Sequence, residues 1–136
     1  MAVIVDPDFV LALARRRHPR HPDAVALVAT LDEDLVTSPL AVADIDRAIA
    51  DAAGDEARSA VRRDFERGAY AVRWWADALK ETLAIGQRHP EVGLTTASLV
   101  ALAARVNTRR IATFDEQFRT LTTPDGEAFV VLPADR

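Results

Sequence analysis

The sequence contains no cysteine. That excludes a disulfide framework and any thiolate metal site, suits a reducing compartment, and leads us to expect a cytoplasmic protein. No apolar run approaches the roughly 20 residues that span a bilayer, so no membrane association is expected. The opening "MAVIVDPDF" has no basic region ahead of its short apolar run and does not read as a signal peptide. An excess of positive charge is also missing: the net charge is −4. Nucleic-acid binding, if present, must therefore rest on a local basic patch. Histidine is scarce, and His18, His21 and His89 all adjoin loop prolines or arginines, as surface residues do. With 49% apolar and 28% charged residues, the chain is globular rather than disordered. Its 136 residues suffice for a single domain, 1–136, with a sizeable core. There is no internal repeat, low-complexity segment or linker.

What is present is an alternation of short apolar runs with helical patterns. "AVIV", residues 2–5, reads as a buried strand. "FVLALARRR" predicts a helix with Asp8 as its N-cap and arginines in its last turn. "HPRHP" breaks the chain, and "DAVALVATLDED" predicts a second helix. "LVTSP" is a strand running into a helix that Ser38 caps and Pro39 opens. That helix stops near Gly54, and "DEARSAVRRDFERG" is another, closed by Gly68. "AYAVRW" predicts a strand, and "WADALKETLAIGQRH" and "TTASLVALAARV" predict helices. "RRIATF" and "AFVVL" are the last strands. Strands alternating with helices through short connections imply an α/β fold with a parallel sheet covered on both faces.

In such a sheet, ligands bind at the carboxyl ends of the strands. Asp6 directly follows the first strand, and Asp115 directly follows "RRIATF". Each could simply cap the element after it, but two acids at two strand ends point to one shared edge. Asp44 lies six residues after Ser38, beside the apolar face formed by Leu40, Ile45 and Ile49. It can reach the same edge, or it can be an exposed helix acid. Asp46 and Asp51 read as surface. Carboxylates clustered without histidine or cysteine suit a hard cation, Mg²⁺ or Mn²⁺, and such sites commonly serve phosphate chemistry.

These segments resemble a known family. "VIVDPDFVLAL", "LVTSPLAVADIDRAI", "VGLTTASLVALAARVNTRRIATFDEQFR" and "GEAFVVLP" are similar, over nearly the whole chain, to the motifs of PIN-domain proteins, in particular the VapC toxins of bacterial toxin–antitoxin pairs. The resemblance implies a three-layer α/β/α fold with a central, mostly parallel sheet. It further implies a small Mg²⁺-dependent endoribonuclease that cuts RNA, forms a homodimer and is neutralised by an antitoxin protein. By the same resemblance Asp6 takes the first acidic position, Asp44 stands where the family usually has Glu, and Asp115 takes the fourth. The third, usually Asp in "G-L-x-D-A-S", falls on Thr96 in "GLTTAS". A hydroxyl can hydrogen-bond a metal-bound water but is a weak ligand. Asp8, where the family usually has Ser or Thr, either restores the missing charge or caps its helix.

Two other functions compete with metal-dependent cleavage. One is a degenerate PIN domain that cleaves little and acts by binding RNA or a protein partner, which Thr96 favours. The other is a phosphotransferase of the haloacid-dehalogenase type, in which Asp6 would be a nucleophile. The chain is short for that class, and its single lysine, Lys80, lies in a helix among charged neighbours. "RRRHPRH", residues 15–21, is the densest positive stretch. It either contacts RNA phosphates or is a solvated helix end. Arg109 and Arg110 precede a strand, on the edge away from the acids. Of the adjacent Trp74 and Trp75, one is expected in the core and the other at a protein contact.

Overall fold

The computed structural model describes all 136 residues. Five strands form one sheet: β1 (Ala2–Val5), β2 (Asp34–Thr37), β3 (Ala71–Val72), β4 (Arg110–Ala112) and β5 (Val130–Leu132). Their spatial order is β3-β2-β1-β4-β5, and every pairing is parallel. Five helices join them: α1 (Pro7–Ala14), α2 (His21–Val28), α3 (Pro39–Glu66), α4 (Ala78–Arg88) and α5 (Leu94–Arg105). This is the expected α/β/α arrangement. Val3, Ile4 and Val5 of β1 and Ile111 of β4 are wholly buried, as are Phe9, Ile45, Leu99 and Leu102 from α1, α3 and α5. Each such side chain contributes about 2 kcal/mol on burial.

The chain builds outward from β1 to β2 and β3, then crosses to the other side of β1 for β4 and β5. The direction of sheet growth therefore reverses between β1 and β4. In open parallel sheets the crevice at such a switch point, beyond the carboxyl ends of the strands, is where ligands bind. Asp6 follows β1 there, and Thr113 to Asp115 follow β4.

Several elements differ from the sequence reading. Asp8 does not cap α1. Pro7 occupies the first helical position, where its fixed φ is pre-organised, so the cap moves back to Asp6, whose carboxylate accepts from the Phe9 N–H. α1 ends at Ala14, leaving Arg15 to Arg17 in the following turn. "AYAVRW" yields only the two-residue edge strand β3, both residues exposed. The tryptophans precede α4 instead of joining it. Gly54 (φ +87°) interrupts α3, as its position predicts. The second half returns along the first, so that Arg62 forks onto Asp46 through bonds of 2.6 and 2.9 Å.

Candidate active site at the carboxyl edge

Asp6 is the most buried acid of this edge, at 4% exposure. One oxygen accepts from the Phe9 N–H at 2.9 Å, and the other accepts from the Thr113 hydroxyl. Burial pushes its pKa up to about 7. The bonds from Thr113 and Phe9 oppose that rise, while the neighbouring charges of Asp8 and Asp115 add to it. A carboxylate here is thus held in a fixed orientation and lacks a compensating cation.

Asp115 caps the short 3₁₀ turn Glu116–Arg119, its Oδ1 accepting from the Gln117 N–H at 2.9 Å. Its own N–H donates to Thr113 Oγ1 at 2.9 Å. One hydroxyl, Thr113, therefore links the backbone of one acid to the carboxylate of the other across 107 residues of sequence. Asp6 and Asp115 do cap the elements after them, and they also come within electrostatic reach of each other. Asp8 lies at the surface beside them. Partial burial raises its pKa first, Asp115 raises it further, and His18 lowers it.

Asp44 stands on α3, separated from this group by the first turn of α5. Its Oδ2 accepts from Thr95 and its Oδ1 pairs with Arg47 at 2.8 Å. Asp44 is not among the charges that raise Asp6 or Asp8. The adjacent Thr96 turns the other way and donates to Gln117 Oε1 at 3.2 Å, next to Asp115. The two threonines thus join α5 to both acidic neighbours. Behind them, the buried Ser38 and Ser98 hydroxyls meet at 2.7 Å, and Ser98 also donates to the Thr95 carbonyl. The N-terminus of α5 is capped by Gly93 without a side-chain bond, and its positive dipole end lies beside the Asp44 carboxylate that Thr95 of its first turn holds.

Thr113, Gln117, Thr95 and Ser98 complete this arrangement, and the sequence reading gave none of them a role. The only signal for Thr113 was its place just past a strand end, beside Asp115. No group of three or more His, Asp or Glu side chains is close enough to chelate one ion. The donors on the edge are nonetheless all oxygen: carboxylates, hydroxyls and the Gln117 amide. They suit Mg²⁺, which keeps several waters and needs only one or two protein carboxylates. They do not suit a dehydrated ion bound through three acids.

Elsewhere, His21 Nδ1 lies 2.8 Å from the Ala12 carbonyl, and His89 sits beside Glu91; neither approaches the acids. Trp75 packs against the core and donates to Glu81 at 2.8 Å, whereas Trp74 is 40% exposed.

No family model matches the chain. It is 30% identical over 135 residues to Ribonuclease VapC26 of Mycobacterium tuberculosis, which covers 96% of this chain and all of that protein. Among solved structures it is similar to Mycobacterium tuberculosis VapC20, a sarcin–ricin-loop-cleaving toxin. The TM-score is 0.78 at 21% identity, over 85% of this chain and 91% of the other. VapBC2 of Rickettsia felis, bound to a DNA fragment from its promoter, gives a TM-score of 0.62 at 10% identity, over 86% and 90% of the two chains. Both structures share the α/β/α fold described above.

Proposed function

This chain belongs to the VapC family of PIN-domain ribonuclease toxins, and from that premise we propose that it is a Mg²⁺-dependent endoribonuclease working at the carboxyl edge. Asp6 and Asp115 are the residues we assign to the metal directly, with Asp44 reaching it only through water, Thr96 and Asp8 in support, and Mn²⁺ as an alternative ion. The observation that carries this is the Thr113 hydroxyl at the switch point, which donates to the Asp6 carboxylate and accepts from the Asp115 N–H. A bound Mg²⁺ would make its water a stronger nucleophile at neutral pH and offset charge on the phosphodiester.

The residues themselves do the positioning. The Phe9 N–H and Thr113 O–H fix the Asp6 carboxylate, so one orientation is available without reorganisation. Asp115 has a single oxygen committed to its cap, and its other oxygen makes no hydrogen bond within the chain. Thr96, held by Gln117, offers a hydroxyl in place of a fourth carboxylate, so the site carries one negative charge fewer and should bind Mg²⁺ weakly. The test is cleavage of a mixed RNA substrate by the purified chain. Mg²⁺-dependent cuts that vanish with Asp6→Asn support the reading; cuts that persist in excess chelator would refute it.

The second reading is a degenerate domain that binds RNA or a partner with little cleavage. Thr96, the Arg47–Asp44 pair and the lack of a three-acid group favour it. A Mg²⁺ titration separates the two, since a degenerate site would show no saturable binding. The VapBC2 structure supports an antitoxin as partner, and a chain without cysteine suits the reducing cytoplasm. No helix here is long and apolar enough to cross a membrane. A homodimer is supported by the apolar surface of α4, where Leu79 and Leu83, four residues apart, are about half exposed beside Leu94.

A further inference from the structure

The basic segment after α1 does not extend away into solvent. Its last arginine, Arg20, places its guanidinium 4.4 Å from the centre of the Phe114 ring. Phe114 is the residue between Thr113 and Asp115, and it stacks on Phe9 at 5.8 Å. Phe9 in turn supplies the N–H that fixes Asp6. The cation thus rests on a ring whose neighbour in the chain is Asp115 and whose stacking partner, Phe9, holds Asp6. His18 belongs to the same turn: its Nδ1 accepts from the Arg20 N–H at 3.0 Å, and its charge is felt at Asp8.

We propose that Arg20 is a phosphate-contacting residue that holds the RNA backbone against the acid edge. This rests on the ribonuclease reading and extends it to substrate binding. The physical need is clear. Asp6, Asp8 and Asp115 together repel a phosphodiester, and one divalent ion offsets only two of three charges. An adjacent fixed cation supplies the remainder. Arg20 has the free capacity for it. Its Nε donates to Asp23 at 3.0 Å, its side chain is half exposed, and the guanidinium has further N–H donors for phosphate oxygens. The Phe114 face sets the plane of the group and limits the entropy lost on binding.

Asp23 gives the discriminating experiment. If the Arg20–Asp23 pair only stiffens the turn, removing either partner has the same effect. If Arg20 binds phosphate, the two removals act in opposite directions, because Asp23 competes with the RNA for the guanidinium. The measurement is anisotropy of a short fluorescent single-stranded RNA, with EDTA present so that no cleavage intervenes, at several salt concentrations. Arg20→Gln should weaken binding roughly 5- to 20-fold at low salt. It should also shrink the slope of log affinity on log salt by about 0.7. Arg20→Lys should keep most of that slope. Asp23→Asn should tighten binding, and the gain should disappear in the Arg20→Gln/Asp23→Asn double variant. Equal weakening by Arg20→Gln and Asp23→Asn, or no change in either, overturns the proposal while leaving the ribonuclease reading intact. Failure of the parent chain to bind RNA overturns the proposal, and Mg²⁺-dependent cleavage in the gel assay then judges the ribonuclease reading by itself. Arg20-dependent binding without Mg²⁺-dependent cleavage upholds the contact and overturns the ribonuclease reading.

Discussion

The two edges of the sheet carry similar residue types and treat them in opposite ways. At the amino edge both arginines have partners. Arg110 of β4 meets Glu33 at 2.6 Å, and Arg109 meets Glu127 at 3.5 Å. The Thr108 hydroxyl donates to the Ala2 carbonyl. A cavity of about 410 Å³ opens there, lined by Met1, Asn107 and both arginines, but those arginines are already paired. At the carboxyl edge the acids face one another. Asp6, the most buried, is raised to about 7, and Asp8 and Asp115 contribute to that rise. The amino edge is built to be stable as it stands. The carboxyl edge holds unbalanced negative charge, which a fold tolerates where something else is meant to bind.

The comparison can be broken most severely at Asp6. Asp6→Asn keeps one oxygen to accept from Phe9, turns the acceptor facing Thr113 into a donor and loses the charge, so Mg²⁺-dependent RNA cleavage should fall to background in a gel assay. The same variant isolates the next effect, on stability. In the metal-free protein the folded state holds the Asp6 proton up to about pH 7, whereas an unfolded chain releases it near 3.8. The folded state thus binds more protons between those values, and stability falls as pH rises through that window. The fall is at most about 1.4 kcal/mol per pH unit and levels off above 7. Melting curves in EDTA should show this decline in the parent and lose Asp6's share of it in Asp6→Asn, which should be the more stable of the two at pH 8. A parallel pH dependence in both proteins would mean that Asp6 is not buried as a charge.

At the amino edge, Glu33→Gln should cost roughly 1 kcal/mol, the scale of a partly exposed ion pair. It should leave Mg²⁺ affinity and cleavage untouched. A loss of metal binding there would erase the distinction between the edges. The smallest effect concerns neither edge. Thr82 of α4 is wholly buried and its hydroxyl has no partner, so Thr82→Val should raise stability by about 1 kcal/mol in denaturant unfolding.

The sheet was legible because its strands are short β-branched runs buried on both faces, and such runs mark parallel strands. The shared acidic edge followed from two acids that each came directly after a run. Helix starts were legible where proline and a capping residue coincide, as at Ser38–Pro39. The same rule, applied to Asp6–Pro7, would have moved the first cap from Asp8 to Asp6. Strand lengths were overestimated for "AYAVRW" and "RRIATF" because pairing ends where the neighbouring strand does, and that is a tertiary fact. The hydroxyl network could not be read from the chain: Thr113 meets Asp6 and Ser38 meets Ser98 only once the sheet has brought distant segments together. Arg20 was legible as a charge in "RRRHPRH" but not as a cation resting on Phe114.

The central claim is that the carboxyl edge is a hard-cation site left one carboxylate short at Thr96. Calorimetric Mg²⁺ titration of the parent and of Thr96→Asp tests it most directly. Asp at this position would sit in the first turn of α5, where the helix dipole favours negative charge, and Gln117 can turn its amide to donate to it. Affinity should tighten by at least about 10-fold, and added Mg²⁺ should raise the melting temperature more in the variant than in the parent. Identical titrations for the two proteins would contradict the claim, because position 96 would then not face the metal.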